Sequence, residues 1–408
     1  MRVLWFTNTP PVSVSGKAKY NGGGWVSSLV EELSGRIDLG VVFISGSRED
    51  RTVSGGVTFY PVYDSFDSGR SGRIRKLLFG NSAEISSLLD SFMEIVEEFR
   101  PDVIEVFGSE RMYGLVAGRT DLPVVLHLQG ILDECRKSFL PPGMSRLRYC
   151  MSGHGIAGKF GKFYYLVSMR RRCVQERKIF SLVHDYIGRT DWDRKYLQSV
   201  NPAAGYHHLD EILRKPFYDN AGMCRMRDVA VPEIVTTISE APFKGMDIVL
   251  RAADILRNRM GKEFVWKVYG NVDVPFFERF TGIDAEKAGV VPAGVAGAET
   301  IAAELVNAAV YVHPSYVENS PNSLCEAQMA GVPCVASDTG GIPSIVDDGV
   351  TGLLVRPGDA EGFARAVSGL LEDRKLAARI GHDASAAAVR RHDRDRIVSG
   401  LLSIYGKL

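Results

Sequence analysis

The sequence predicts an α/β protein made of two Rossmann-like, doubly wound domains that face a central cleft. Three observations carry this reading. The chain has 408 residues, 45% of them hydrophobic, which suits two large domains. Short apolar runs of strand size alternate with helical stretches of about 10–15 residues, the pattern of βαβ units around a parallel sheet. Glycine, at 42 residues, exceeds its usual share of about 7%, as many tight strand-to-helix turns require.

Read in order, residues 3–6 (VLWF) form a buried strand. A Gly- and Pro-rich loop follows, then a helix through 25–30. Further strands are expected at 39–44, 57–61, 103–106 and 123–128, with a helix over 83–99 between them. A second series begins at 234–238 and runs through helix 246–257, strand 265–269, helix 300–308 and strand 310–313. A helix from about Pro321 and strands 334–336 and 352–355 complete it. The segment 215–231 has loop chemistry and little periodicity, so the domains are expected at 1–218 and 219–390. Residues 391–408 form a C-terminal helix expected to pack back on the N-terminal domain.

Lys and Arg together number 49, and Asp and Glu also 49. A zero balance argues against a nucleic-acid-coating protein. No apolar run approaches a membrane span, and the apolar stretch after Arg2 is too short for a signal peptide. The six cysteines show neither a CxxC pair nor zinc spacing and read as reduced thiols. A cytoplasmic protein is expected, with a peripheral station at the inner membrane face left open.

The most informative segment runs from His313 to Val355. After strand 310–313, Asn319 or Ser320 is placed to cap a helix with Pro321 at its first position. The first turn, Pro321-Asn322-Ser323, carries no acid, so its N–H groups and the helix dipole can receive a diphosphate. Glu318 stands just before this helix and Glu326 inside it. Two acids flanking an anion-receptive helix start suit a ligand with hydroxyls on both sides of a phosphate, which describes a nucleotide-sugar. An isolated pair of this kind also occurs as a loop acid and a solvated helix acid.

This segment resembles the signature of the family-4 retaining glycosyltransferases of the GT-B fold. The resemblance is carried by Glu318 and Glu326, by Ala327, Met329-Ala330-Gly331 and Pro333, by Thr339-Gly340-Gly341-Ile342-Pro343 and by Asp348-Gly349-Val350-Thr351-Gly352. It implies that Glu318 contacts the donor sugar, that Glu326 holds the ribose hydroxyls, and that the backbone of Asn322, Ser323 and Leu324 approaches sugar and phosphates. Phe243-Lys244-Gly245 resembles the family's Lys-Gly element, so Lys244 would stabilise the departing diphosphate. The family's Arg five residues before that Lys is Ser239 here. Of Gly22-Gly23-Gly24, Gly23 and Gly24 are expected at the donor phosphates, and Ser27 replaces the third glycine of a dinucleotide fingerprint. Tyr269-Gly270 and Val291-Pro292 lie where the family contacts the nucleobase.

In the N-terminal domain the resemblance puts Gln129 where many members have a His at the donor sugar. His127, two residues earlier, reads first as a core histidine and second as an acceptor-side contact. Arg189 and His207-His208 are further acceptor-side candidates. Residues 146–178 contain nine Lys and Arg against Glu176, interleaved with Phe160, Phe163, Tyr164 and Tyr165. Such a stretch either rests on an anionic membrane surface, meets a phosphorylated lipid-linked acceptor, or is a solvated helix whose long stems cover core.

The expected function is transfer of a sugar, with retention, from a nucleoside diphosphate sugar (a UDP-sugar first) to a glycan or lipid-linked acceptor. No metal, cofactor or nucleic acid is expected. The alternatives are a non-hydrolysing nucleotide-sugar epimerase and a catalytically silent nucleotide-binding subunit.

Overall fold

The computed structural model describes residues 1–8, 24–64, 82–225 and 229–408. Gly22 and Gly23 lie outside the described residues. The N-terminal domain runs β1 (Arg2–Phe6), α1 (Gly24–Leu33), β2 (Asp38–Ser45), β3 (Thr52–Ser54), β4 (Val57–Tyr63), α2 (Ser82–Phe99), β5 (Val103–Phe107), β6 (Val124–His127), α3 (Leu132–Lys137), α4 (Arg146–Met151), α5 (Gly155–Leu182), β7 (Asp185–Gly188), α6 (Asp191–Val200) and β8 (Gly205–His208). A short helix, α7 (Lys215–Asp219), leads into the second domain. That domain runs β9 (Glu233–Thr237), α8 (Met246–Asp254), β10 (Val265–Tyr269), α9 (Val274–Thr281), β11 (Val290–Gly294), α10 (Ala298–Asn307), β12 (Val310–His313), α11 (Asn322–Ala330), β13 (Cys334–Ser337), β14 (Leu353–Val355), α12 (Ala360–Glu372) and α13 (Arg374–Arg391). The final helix is α14 (Arg394–Tyr405).

Among the described residues the first sheet has the order β3-β4-β2-β1-β5-β6-β7-β8. It is parallel apart from β3, which runs against β4. The second sheet has the order β11-β10-β9-β12-β13-β14, with every pairing parallel. The apolar runs become strands covered on both faces, as parallel sheets require. In β1, Val3 and Trp5 point into one core and Leu4 and Phe6 into the other, the two-residue alternation of a strand.

Connections between the domains are extensive. Phe217 of α7 packs in the core of the second domain. Phe139, Met144, Tyr149 and Met169 of the first domain join the α8–α9 core of the second. Conversely, Ile397, Val398, Leu401 and Tyr405 of α14 complete the core beneath β1 and α1. Tyr405 also closes a buried polar chain: its hydroxyl accepts from Trp5 Nε1 at 2.9 Å and donates to Glu105 Oε2.

Replacing Tyr405 with Phe strands two buried polar groups, one of them on a carboxylate. The expected loss is about 2–3 kcal/mol, read as a lowered urea midpoint. A change below about 0.5 kcal/mol would show that this chain does not hold α14 in place.

Candidate active site

The strand order reverses between β9 and β12, and in open α/β sheets the crevice at that point is where ligands sit. After β9 the turn Pro242–Lys244 ends in Gly245, left-handed at φ 84°. A Cβ at Gly245 would collide with the carbonyl oxygen of Pro314, so glycine lets this turn lie against the loop after β12. Tyr316 fastens the two, its N–H donating to the Phe243 carbonyl at 2.7 Å and its hydroxyl to Asp247 Oδ2 at 2.7 Å. From the other side, Gly340 presses on the backbone of Glu318 so closely that a Cβ would overlap the Glu318 carbonyl oxygen. Gly341 N–H donates to that oxygen at 3.0 Å.

Held by these glycine contacts, Glu318 faces Lys244. Lys244 Nζ donates to Glu318 Oε2 at 2.6 Å, Ser315 Oγ donates at 3.2 Å, and His313 Nε2 lies 3.4 Å away. Burial pushes the Glu318 carboxyl up, but the Lys244 charge and His313 outweigh it and hold the group at about 2.

Helix α11 starts at Asn322 with Pro321 as its N-cap (ψ 112°) and no side-chain cap. This corrects the expected start: Pro321 is still extended, and neither Asn319 nor Ser320 caps the helix. Asn319 Oδ1 instead accepts from Thr190 Oγ1 of the first domain at 2.7 Å. The N–H groups of Asn322 and Ser323 have no hydrogen-bond partner among the described residues, whereas Leu324 N–H donates to the Pro321 carbonyl at 3.0 Å. The anion-receptive start is therefore two amides wide, and Leu324 is wholly buried.

The first domain supplies the facing wall. Glu211, 1% exposed, accepts from Gln129 Nε2 at 2.9 Å and from Asn322 Nδ2 at 2.9 Å, and pairs with Arg189 Nη1 at 2.6 Å. Arg189 Nη1 also donates to Asn322 Oδ1 at 3.2 Å. Thus Gln129, Arg189 and Asn322 meet on one carboxylate. His127 sits in the core, the first of its two expected readings. It is 1% exposed, hydrogen-bonded through Nδ1 to Glu105 at 3.0 Å and flanked by the Trp25 and Phe107 rings. His207 pairs with Asp185 on the outer strands.

Glu326, 3% exposed, is gripped by Arg214, whose Nε and Nη2 each donate to one carboxylate oxygen at 2.7 Å. Burial pushes the Glu326 carboxyl up, and Arg214 opposes it. The Arg214 stem packs on Gly24 so tightly that a Cβ there would clash, which places Gly24 beside Glu326. Sequence reasoning missed Glu211, Arg214 and His313. The first two sit in LDEILRKPF, where charges between buried apolar residues signal pairing rather than a solvated linker.

The basic stretch divides. Arg148 donates to the Arg279 carbonyl at 2.9 Å, and Lys162 lies over Tyr149 and Phe276 at 4.9 and 4.6 Å. These charges tie α4 and α5 to α9 of the second domain. Leu147, Met151, Ile156 and Phe163 of the same two helices are exposed.

Residues 232–373 match the family described as Glycosyl transferases group 1. The whole chain superposes on sucrose-phosphate synthase from Thermosynechococcus elongatus with a TM-score of 0.72 at 16% identity, covering 100% of this chain and 98% of that one. It superposes on Anabaena HepE, solved in complex with UDP and glucose, with a TM-score of 0.66 at 15% identity, covering 100% of each chain. The segment that matches the group 1 glycosyl transferase model sits on a GT-B fold. Among relatives of this transferase domain, D-inositol 3-phosphate glycosyltransferase of Salinispora arenicola is 34% identical over 250 residues, 55% of this chain and 52% of that protein. The Streptomyces avermitilis protein of the same name is 32% identical over 171 residues, 40% of this chain and 36% of that protein. The chain thus spans between about a third and a half of the length of such relatives. Lys244, Glu318 and Glu326 all lie within the matched transferase domain.

The lowered pKa of Glu318 means that the folded state holds its carboxylate better than the unfolded state does. That stabilisation is complete above the ordinary carboxylate range and is lost as pH falls from about 5 towards 2. Glu318→Gln should therefore be less stable than wild type at pH 7, with the gap closing in acid. A gap that stays constant from neutral pH to pH 3 would contradict the assigned pairing with Lys244.

Proposed function

We propose that the protein transfers a sugar from a nucleoside diphosphate sugar, a UDP-sugar first, to a hydroxyl of a glycan or lipid-linked acceptor, with retention and without a metal. The observation that carries this reading is the pairing of Lys244 and Glu318 beside the two partnerless amides that open α11. An ammonium has three donors, and Lys244 gives one to Glu318, leaving two for a diphosphate. A carboxylate has about four lone-pair sites. Arg214 uses two of those on Glu326 and fixes its orientation, so two remain for ribose hydroxyls. The UDP and glucose in the HepE structure support a nucleotide-sugar donor.

In the proposed step the bond between the anomeric carbon and the diphosphate oxygen breaks, and the electron pair stays on that oxygen. The acceptor hydroxyl bonds to the anomeric carbon on the same face, and its proton passes to the departing diphosphate. Lys244 and the amides of Asn322 and Ser323 stabilise the charge that builds there. Glu318 orients the sugar hydroxyls, and Gln129, held by Glu211, lines the facing wall.

Glu326→Ala should weaken UDP binding by tenfold or more, and Glu318→Ala should mainly reduce kcat. EDTA should leave turnover unchanged. Wild-type affinity and turnover in both variants would overturn the assignment, and an isomerised sugar formed from donor alone would favour an epimerase.

We also propose that α4 and α5 rest on an anionic membrane. Leu147 and Met151, and Ile156 and Phe163, form exposed apolar stripes at helical spacing, next to the basic residues of 146–178. Vesicles with anionic lipid should float the protein and neutral vesicles should not, and Ile156→Glu with Phe163→Glu should abolish flotation. Equal flotation of the variant would refute this contact.

A further inference from the structure

Behind the wall that faces the cleft lies a cavity of about 250 Å³, bordered by Arg189 of that wall and by Ser320 of the loop before α11. Arg189, His208 and Asp210 from the first domain line it, facing Arg390, Arg391 and Arg396 from the end of α13 and the start of α14. Its basic groups exceed their counter-charges. Arg189 is paired with Glu211 and Arg396 with Asp210 at 2.8 Å. Arg391 is bound only by neutral acceptors, Gln328 Oε1 at 3.0 Å and the Ile345 carbonyl at 2.8 Å. Arg390 is exposed and has no hydrogen bond or ion pair among the described residues. Two guanidinium charges are therefore left without an acid.

The adjoining larger cavity shares Arg390 and Arg391 and carries Asp347, Asp348 and Asp383. None of those acids forms an ion pair with either arginine. A volume of about 250 Å³ lies below the ~300–1,000 Å³ of sites for drug-sized ligands. It suits a small anion and not a whole nucleotide-sugar.

We infer that this cavity is a binding site for a small, multiply charged phosphoryl anion, held by Arg189, Arg390, Arg391 and Arg396. Planar guanidinium forks match phosphoryl oxygens. The arginines come from the first domain and from the segment by which the chain returns from the second. A bound anion would therefore brace the two domains against each other.

The test titrates inorganic phosphate, and separately inorganic pyrophosphate, into the full chain by calorimetry. Three variants are compared with wild type. Arg390→Glu alters an exposed side chain with no partner to lose, so it should fold; its melting temperature without anion checks this. Lys244→Ala alters the candidate donor site instead, and Arg390→Lys keeps the charge. The expected result is inorganic phosphate binding by wild type that is weakened tenfold or more by Arg390→Glu, largely kept by Arg390→Lys and kept by Lys244→Ala, which removes only pyrophosphate bound at the candidate donor site. Absence of phosphate binding by wild type, or its loss in Lys244→Ala with retention in Arg390→Glu, would overturn the inference. The comparison stands apart from the transferase reading, because neither outcome requires a nucleotide.

Discussion

One buried carboxylate, Glu211, fixes how the two halves of this molecule meet. It carries a charge at 1% exposure, and three residues satisfy it: Gln129 and Arg189 from one domain and Asn322 from the other. A charge in this position tolerates little rearrangement, since losing Arg189 would leave it without a counter-charge out of water. Because Asn322 is the first residue of α11, the same contact sets where that helix begins relative to the first domain. On the far side His127 Nε2 lies 3.7 Å from Glu211 without a hydrogen bond, and its Nδ1 is bonded to Glu105. Hydrogen bonds link the last helix to His127 in the first sheet through Glu105, and His127 is a near neighbour of Glu211 at the cleft.

The two sides of the cleft are built on different principles. The Lys244–Glu318 side is made rigid by close backbone approach: Gly245 against Pro314 and Gly340 against Glu318 leave no room for a Cβ. The facing side is held by side-chain hydrogen bonds among charged groups. Backbone contact of the first kind fixes an atom's position independently of pH or ligand. Contact of the second kind depends on charge, so it responds to whatever anion or hydroxyl enters.

Much of the second domain was legible in the sequence because its signals are local. The apolar runs, the Lys244-Gly245 turn and the spacing of Glu318 and Glu326 can all be read within short windows. What escaped was set by distant pairing. Pro321 lies one residue outside α11, and Asn319, which local chemistry favours as a cap, is taken by Thr190 from the other domain. Arg214 and Glu211 stood next to a segment read as a linker, although their partners Glu326 and Asn322 lie more than a hundred positions away. The basic run 146–178 mixed two environments. Arg148 and Lys162 are committed to the second domain, while the exposed apolar residues beside them are not.

The placement of α14 has a consequence for how the protein comes to be made. Ile397, Val398, Leu401 and Tyr405 complete the core beneath β1 and α1, yet a ribosome adds them only after the entire second domain. The first domain emerges with that flank uncovered and with Trp5 Nε1 lacking its acceptor. Its core is complete only once α14 has crossed back. The two domains are therefore separate in architecture but a single unit in biogenesis, and a cut between them would leave the first with an open apolar face for chaperones to bind.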